Sequence, residues 1–229
     1  MATEFIASGE RCLLAVYGRG IDEQVNERVH RMAALLRRLG NPAIEAVVGS
    51  YCTLAVHYDP LRYGFAEMVA LLTDLEKEVG ATTAAQAKTV DIPVCYGGEF
   101  GPDLEFVASH CRMSEEQVIA RHSTPAYRIY TIGFAPGFCY LGGLDEALHT
   151  PRLESPRQKV AAGSVGIAGN QTGVYPLDSP GGWRLIGRTP LRLFAPEREQ
   201  PLLYEAGDLI RFRPISEMEY HTLAEEDCR

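Results

Sequence analysis

Three glycine-rich stretches hold most of the residues whose types could bind a small ligand. They span residues 133–145, 162–176 and 179–190. Glycine adopts positive φ angles and lets a ligand approach the backbone closely. Tight turns and barrel corners need glycine for the same reason, so a single stretch leaves both interpretations open. Three stretches that mix glycine with polar and aromatic side chains predict a shared ligand surface.

Basic and amide side chains beside these glycines could recognise an anion. Arg157, Lys159 and Arg188 can donate to phosphate or carboxylate oxygens, and the backbone amides of glycine loops can add further donors. A solvated or structural ion pair is the competing explanation for each basic residue. Gln171 and Thr172 could orient a carboxylate or an amide, or could instead complete the hydrogen bonds of a local turn.

Other chemical signals are weaker or excluded. Trp183, the only tryptophan, could stack on a base or ring, although tryptophan more often packs in a core or interface. Ser164 lies in a sequence that approaches the nucleophile-elbow pattern, but Gly169 and Pro176 follow it and prevent the helix that this motif requires. The sequence contains no phosphate-binding P-loop, no protein-kinase signature and no cluster with metal-ligand spacing, so no metal site is expected.

Composition predicts a soluble globular protein that works in the cytoplasm. The 229 residues carry a formal net charge of -8, which disfavours nucleic acid as a partner. No apolar run is long enough to cross a membrane, and residues 1–10 lack the pattern of a signal peptide. The six cysteines are scattered and form no CxxC pair, which is typical of small buried residues in a reducing compartment.

The first part of the chain alternates between strand and helix patterns. A short apolar run at 12–17 predicts a strand, and Asp22 could cap a helix that ends at Gly40. Residues 44–58 favour two strands, and apolar spacing from Phe65 to Val79 predicts a second helix. The order β-α-β-β-α predicts a ferredoxin-like domain over residues 1–88, with residues 81–88 as a linker.

The pattern changes over residues 89–229. Residues 90–96 form a predicted strand that Pro93 would place at a sheet edge. Two short helices follow at 104–111 and from Ser114, where a capping box begins. Short apolar stretches separated by glycine and proline then predict a β-barrel or sandwich, and the acidic end at 225–227 predicts a solvated tail. The fold class is therefore α+β.

The glycine-rich stretches also carry a resemblance to a known family. The strings FAPGFCYLGGLD, AGSVGIAGNQTGVYP and SPGGWRLIGRTPLRLF, with IPVCYGGEFGPDL before them, resemble the family named after the 5-oxoprolinase B subunit, KipI or allophanate hydrolase subunit 1. The similarity covers most of residues 90–214. It implies that residues 89–229 form a cyclophilin-like barrel. Ala161 and Cys139 depart from the family pattern, where proline is common.

The resemblance implies a role in an enzyme complex. The family's oxoprolinase opens 5-oxoproline to glutamate at the expense of ATP, and its B subunit works with a C-type (KipA-like) and an A-type subunit. We expect His122, which lies in a segment matching the family, to act as an acid or base together with Arg188 and Gln171; a packed or capping histidine is the alternative. The predicted substrate-binding or nucleotide-binding residues are Phe134, Pro136, Gly137, Tyr140, Arg157, Gly163, Ser164, Gly169, Thr172, Tyr175, Gly181, Gly182 and Trp183.

Two other functions remain open at this point. KipI itself inhibits a sensor histidine kinase, so the chain could be a regulatory binding protein. A relative of the KipI-like segment of urea amidolyase is the third alternative. The predicted site requires that the glycine-rich stretches converge on one polar cavity with Gln171 and Arg188 near each other.

Overall fold

The computed structural model describes residues 3–79 and 87–227, and the chain divides between Ala87 and Lys88 into two units. The predicted domain boundary lies one residue later. Most of the predicted linker, up to residue 86, is outside the described residues. Helices and sheets are both present in each unit, which confirms the α+β fold class.

The first unit contains a four-stranded antiparallel sheet and two helices. The strands lie in the order β1-β2-β4-β3, and all pairs are antiparallel. Along the chain the elements are β1 (Glu4–Ala7), β2 (Cys12–Val16), α1 (Glu23–Leu39), β3 (Ile44–Gly49), β4 (Thr53–Tyr58) and α2 (Phe65–Val79).

Local signals explain the helices of this unit. The Asp22 carboxylate accepts a hydrogen bond from the Val25 amide at 2.9 Å, and Gly40 ends α1 in the left-handed conformation. The core contains Leu13, Ala15, Met32, Leu54 and other apolar residues from one face of the sheet and from both helices. β1 was not predicted. It supplies the edge strand beside β2 that a βαββαβ unit places after its second helix.

The second unit is built around a closed seven-stranded barrel. The strand order is β10-β7-β6-β13-β5-β12-β9, and β9 pairs with β10 to close it. Two further strands, β8 and β11, form a separate antiparallel pair. The strands are β5 (Thr89–Tyr96), β6 (Ala126–Ile132), β7 (Cys139–Gly142), β8 (Arg157–Val160), β9 (Ser164–Ala168), β10 (Gln171–Val174), β11 (Ser179–Gly181), β12 (Arg184–Arg188) and β13 (Leu209–Pro214).

Within the described part of the second unit, three α-helices and a short 3-10 helix (Glu146–Leu148) accompany the barrel. α3 (Leu104–Cys111) and α4 (Glu115–Ser123) follow the predicted bounds closely, and Ser114 and Gln117 form the predicted capping box. α5 (Glu217–Asp227) was not predicted; the prediction of a solvated tail concerned only its last residues, 225–227. Tyr220 fixes this helix by packing against Phe100, with ring centroids 4.5 Å apart.

One strand departs from its predicted place. β5 pairs in parallel with β13 over residues 89–94 and with β12 at Cys95 and Tyr96, so it is an interior strand of the barrel rather than an edge strand. Pro93 nevertheless stands in the part of β5 that has one partner strand, where a missing N–H is tolerated. Every helix within residues 3–79 and 87–227 is too short or too polar to cross a bilayer.

Candidate functional site

The three glycine-rich stretches meet in one continuous section of the barrel wall. The first provides β7, the second provides the β9–β10 hairpin, and the third provides β11 and β12. The strands β7, β10, β9 and β12 are consecutive neighbours. This section, hereafter the glycine wall, has one surface toward the barrel core and one surface outward.

Strand alternation divides the residues of the glycine wall between these two surfaces. Val165 and Ile167 of β9 point into the barrel core, so Ser164, Gly166 and Ala168 face outward. The register of β10 and β12 against β9 then assigns their residues. Thr172 pairs with Ile167 on the inner surface, whereas the outer surface holds Gln171, Gly173, Leu185 and Arg188.

The inner surface holds a closed hydrogen-bond network around His122. This histidine is fully buried; its Nδ1 lies 2.8 Å from the Tyr96 hydroxyl and its Nε2 lies 2.8 Å from Thr172 Oγ1. Its ring stacks on Phe212 at 4.6 Å between centroids, and the Tyr127 hydroxyl donates to the His122 carbonyl. Burial lowers the pKa of His122 to about 3, so the ring is neutral at physiological pH.

This placement separates His122 from its predicted partners. Both ring nitrogens are engaged inside the barrel, and the strand β10 lies between the ring and the outward Gln171. A ligand on the outer surface therefore does not reach His122 in this conformation. The geometry is that of the packed histidine weighed as the alternative, and Thr172 is its partner rather than an exposed ligand group.

The outer surface carries a cluster of aromatic rings. Phe138 contacts Tyr140, Tyr175 and Trp183 edge to face, at 4.9 to 5.5 Å between centroids. A Cβ on Gly173 would lie 3.1 Å from the Trp183 ring, so the glycine of β10 leaves the space that the indole occupies. Trp183 is 5% exposed and therefore packs in this cluster, with little surface open to a ligand.

The loop before β7 adds one exposed ring to this cluster. Phe134 is 68% exposed, has a φ of 69° and contacts Phe138 at 5.5 Å. Pro136 is also exposed. Gly137 is buried, has a φ of 84°, and its carbonyl accepts a 2.6 Å hydrogen bond from the Tyr204 hydroxyl. Gly137 therefore has a structural reason for its residue type, whereas Phe134 does not.

Gln171 and Arg188 lie on the same outer surface but at opposite ends of β9. Gln171 pairs with Ala168 and Arg188 pairs with Ser164, four residues away. A rise of about 3.3 Å per residue separates the two positions by about 13 Å along the strand. The expectation that these two side chains flank one small cavity is not supported by this register.

Gly163 and Arg188 share one end of the glycine wall. The Gly163 amide donates to the Tyr175 carbonyl at 2.7 Å, and Arg188 Nε donates to the Ala162 carbonyl at 2.9 Å. Asp178 is close by, because it accepts from the Ala162 amide at 2.8 Å and pairs with Lys159 at 2.8 Å. Hydrogen bonds from Lys159 and from the Ala162 amide lower the pKa of Asp178, and the positive charge of Arg188 makes a smaller contribution in the same direction. Gly169, in the turn at the other end, has a φ of 59°.

Asp103, Arg157 and Arg184 form a second cluster of charged side chains, which was not predicted as a cluster. Asp103 is 7% exposed, and its carboxylate accepts from the Leu185 amide at 2.7 Å and from Arg157 at 2.9 Å. Arg184 lies 3.9 Å from the same oxygen as Arg157. Asp103 and Arg184 are thus the residues that sequence reasoning missed. Asp103 has the position of a helix cap, which concealed its contacts with β12 and Arg157.

The remaining predicted glycines lie beside this group. Gly181 pairs with Arg157, and a Cβ there would come within 2.4 Å of the Tyr175 hydroxyl oxygen. The carbonyl of Gly182 accepts a 2.8 Å hydrogen bond from the Leu153 amide. Gly181 therefore allows tight packing around Tyr175, whereas a Cβ on Gly182 would make only ordinary contacts with Pro156. Within residues 3–79 and 87–227, no three metal-binding side chains are grouped.

Comparison with known proteins agrees with this architecture. Residues 3–204 match the family model described as carboxyltransferase domain, subdomain C and D. The 5-oxoprolinase B subunit of Bacillus subtilis (strain 168) is 43% identical over 228 residues, which cover 95% of both chains. The chain belongs to the 5-oxoprolinase B subunit family. The predicted resemblance is therefore confirmed.

Solved structures share the fold. The crystal structure of TTHA0988 is 38% identical with a TM-score of 0.80; the match covers 90% of this chain but 40% of that chain. The Kluyveromyces lactis urea carboxylase superposes with a TM-score of 0.76, and this chain covers 23% of it. At 18% identity, this second likeness establishes only a common fold.

Proposed function

We propose that this chain is the B subunit of an ATP-dependent 5-oxoprolinase, which converts 5-oxoproline, ATP and water to glutamate, ADP and phosphate. Its glycine wall would form one side of a composite site completed by a C-type (KipA-like) subunit, in a complex that also contains an A-type subunit. The identity to the B subunit from Bacillus subtilis over nearly the whole chain supports the proposal.

The observation that carries the proposal is the continuity of the glycine wall. Three stretches far apart in the sequence form adjacent strands, and cationic side chains stand at its margins: Arg188 at the end of β12, and Arg157 and Arg184 beside Asp103. Guanidinium groups at the margins of the glycine wall suit an anionic substrate held between two subunits.

The chemistry explains why cations are needed. The lactam carbonyl is a poor electrophile, and transfer of the ATP γ-phosphoryl group to its oxygen activates the carbon for attack by water. The lactam C–N bond then opens to give the amino group of glutamate and an acyl phosphate on its side chain, and a second water releases phosphate. Guanidinium groups and backbone N–H groups stabilise the charge on the moving phosphoryl group. Arg188 is the residue that we assign to this task, with ATP bound in the complex.

Reconstitution tests the proposal. The chain is mixed with its candidate C-type and A-type subunits, ATP and 5-oxoproline, and glutamate and ADP are measured with and without the chain. We expect both products only in the complete mixture. Arg188→Gln should lower turnover at least about tenfold, since it removes a charge-assisted contact.

The control variant is Arg211→Gln. Arg211 is an exposed arginine that pairs with Asp91 on the β13 side of the barrel, so turnover should stay at the level of the unchanged chain. Undiminished glutamate formation without the chain would refute the proposal. That result is the one expected of a protein that acts only by binding a histidine kinase.

A further inference from the structure

Asp103 stands directly before α3 without capping it. Its side chain makes no hydrogen bond to the first turn of the helix. The carboxylate instead reaches the neighbouring strand, where one oxygen accepts from the Leu185 amide and the other accepts from Arg157. The Asp103 amide also donates to the Leu185 carbonyl at 2.8 Å. These contacts lock the carboxylate against β12.

Two guanidinium groups share this one carboxylate. Arg157 lies 2.9 Å and Arg184 lies 3.9 Å from the same oxygen of Asp103. Among residues 3–79 and 87–227, Asp103 is the only acidic side chain that forms an ion pair with either arginine. The group therefore carries one uncompensated positive charge, although the side chains of Arg157 and Arg184 are only 30% and 15% exposed.

Both arginines are held in fixed orientations. The Arg184 guanidinium lies over the Phe106 ring, 3.6 Å from its centroid, and Arg184 Nε donates to the Pro151 carbonyl at 3.4 Å. Arg157 donates to the Trp183 carbonyl at 3.4 Å. Guanidinium groups that are already oriented lose little entropy on binding a planar anion.

The Tyr175 hydroxyl stands beside this group. It lies next to Gly181, the strand partner of Arg157, and hydrogen-bonds the Trp183 backbone. Burial raises the pKa of Tyr175, while the charges of Arg152 and Arg157 act in the opposite direction. Tyr175 is therefore a neutral hydroxyl within the field of the arginines.

We propose that Arg157 and Arg184 bind the carboxylate of the small-molecule substrate, and that Asp103 is the residue that positions them. A carboxylate matches the planar donor pattern of a guanidinium and supplies the missing negative charge. This inference rests on the proposed function, in which the substrate is 5-oxoproline, a lactam with one carboxylate. It assigns substrate anchoring to this group.

The test is steady-state kinetics of the reconstituted complex with Arg157→Gln and Arg184→Gln. Each variant should raise KM for 5-oxoproline by roughly tenfold to a hundredfold, which is the effect of losing one charged hydrogen-bond partner. KM for ATP should not change. The inhibition constant of 2-pyrrolidinone, the same lactam without a carboxylate, should not change either. Arg211→Gln is the control, and the emission of Trp183 checks that each variant is folded.

Asp103→Asn tests the positioning role. The amide keeps an acceptor for Leu185 but removes the charge that holds the two arginines. KM for 5-oxoproline should rise less than in the arginine variants, with kcat unchanged. A role confined to folding would lower the unfolding midpoint and leave KM unaltered, and that outcome would contradict the assignment of Asp103.

The remaining outcomes of these experiments also test the inference. An increase in KM for ATP alone would mean that the arginines bind a nucleotide phosphate, and equal weakening of 5-oxoproline and 2-pyrrolidinone would mean general damage; both overturn the inference. Arg184→Gln and Arg157→Gln complexes with an unaltered KM would overturn it while the proposed function stands. If glutamate forms equally well without the chain, the proposed function itself fails.

Discussion

The inner and outer surfaces of the glycine wall differ although the same strands form both. Thr172 of β10 points inward and contacts His122 in a fully buried network, whereas Gln171 and Gly173, its neighbours in the sequence, point outward. The inner network pairs polar groups with one another and excludes charge. At one end of the outer surface, Arg188 and the exposed ion pair of Lys159 with Asp178 keep charged groups in contact with solvent. Buried polar contacts therefore stabilise the inner surface, whereas charged groups lie at the margin of the outer one.

The strongest test of this contrast removes the buried ring. His122→Ala should lower the free energy of unfolding by about 3–5 kcal/mol, because it leaves a cavity against Phe212 and deprives the hydroxyls of Tyr96 and Thr172 of a partner. Urea unfolding followed by the fluorescence of Trp183, the only tryptophan, measures this loss in the second unit.

The matched control is His221→Ala. His221 is exposed on α5, so its removal should change the free energy of unfolding by no more than about 0.5 kcal/mol. A stable His122→Ala variant that has lost turnover would reverse the contrast, since it would assign catalysis rather than stability to the inner surface.

Acid should weaken the inner network in a measurable way. Folded His122 stays neutral down to its pKa of about 3, while the unfolded chain takes up a proton near the ordinary value of 6.5. The unfolded state therefore binds more protons between these values, and this contribution to stability falls as the pH drops from 6.5 toward 3. In this range the free energy of unfolding should fall by about 1.4 kcal/mol for each pH unit, as far as His122 is concerned.

His122→Gln isolates that contribution, because glutamine does not titrate. Unfolding free energies at a series of pH values should fall less steeply in the variant than in the unchanged chain. Parallel curves for the two proteins would mean that His122 does not control acid sensitivity.

A smaller effect is expected from filling the outer surface. Gly173→Ala places a Cβ 2.8 Å from the Cys139 carbonyl and 3.1 Å from the Trp183 ring. This crowding should lower the free energy of unfolding by about 1–3 kcal/mol and shift the emission of Trp183. Gly133→Ala is the control, since a Cβ there meets nothing within 4 Å. An unshifted emission would show that the indole does not depend on the glycine.

The smallest effect should come from the exposed ring. Phe134→Ala removes a side chain that is 68% exposed and touches the aromatic cluster at one edge. The free energy of unfolding should fall by less than about 1 kcal/mol. A larger loss, measured by urea unfolding, would mean that the outer aromatic cluster supports the barrel as strongly as the inner network does.

Local signals in the sequence were sufficient for most helices. Asp22 and Gly40 mark the ends of α1, and the capping box at Ser114 marks the start of α4. The tail helix α5 has no comparable apolar stripe, and it is held instead by the contact of Tyr220 with Phe100. Such a contact joins residues more than a hundred positions apart and leaves no periodic pattern in the sequence.

The candidate site was only partly predictable for the same reason. Glycine content located the glycine wall correctly, because close packing of Trp183 on Gly173 requires the missing side chain. Strand alternation implies that Thr172 and Gln171 face opposite ways, but which of the two points inward depends on how β10 pairs with β9. Asp103 remained hidden because its partners are distant in the sequence: Leu185 lies in the barrel strand β12, and Arg157 lies in β8, which pairs with β11 outside the barrel.

The parallel pairing of β5 with β13 also has a consequence for how the protein is made. It joins residues 89–94 to residues 209–214, the first and last strands of the barrel. A nascent chain on a ribosome therefore carries an open sheet with two uncovered edges until nearly all of the second unit has emerged. Such edges recruit strands from other chains, so the period before β13 arrives is when this protein most needs protection by chaperones.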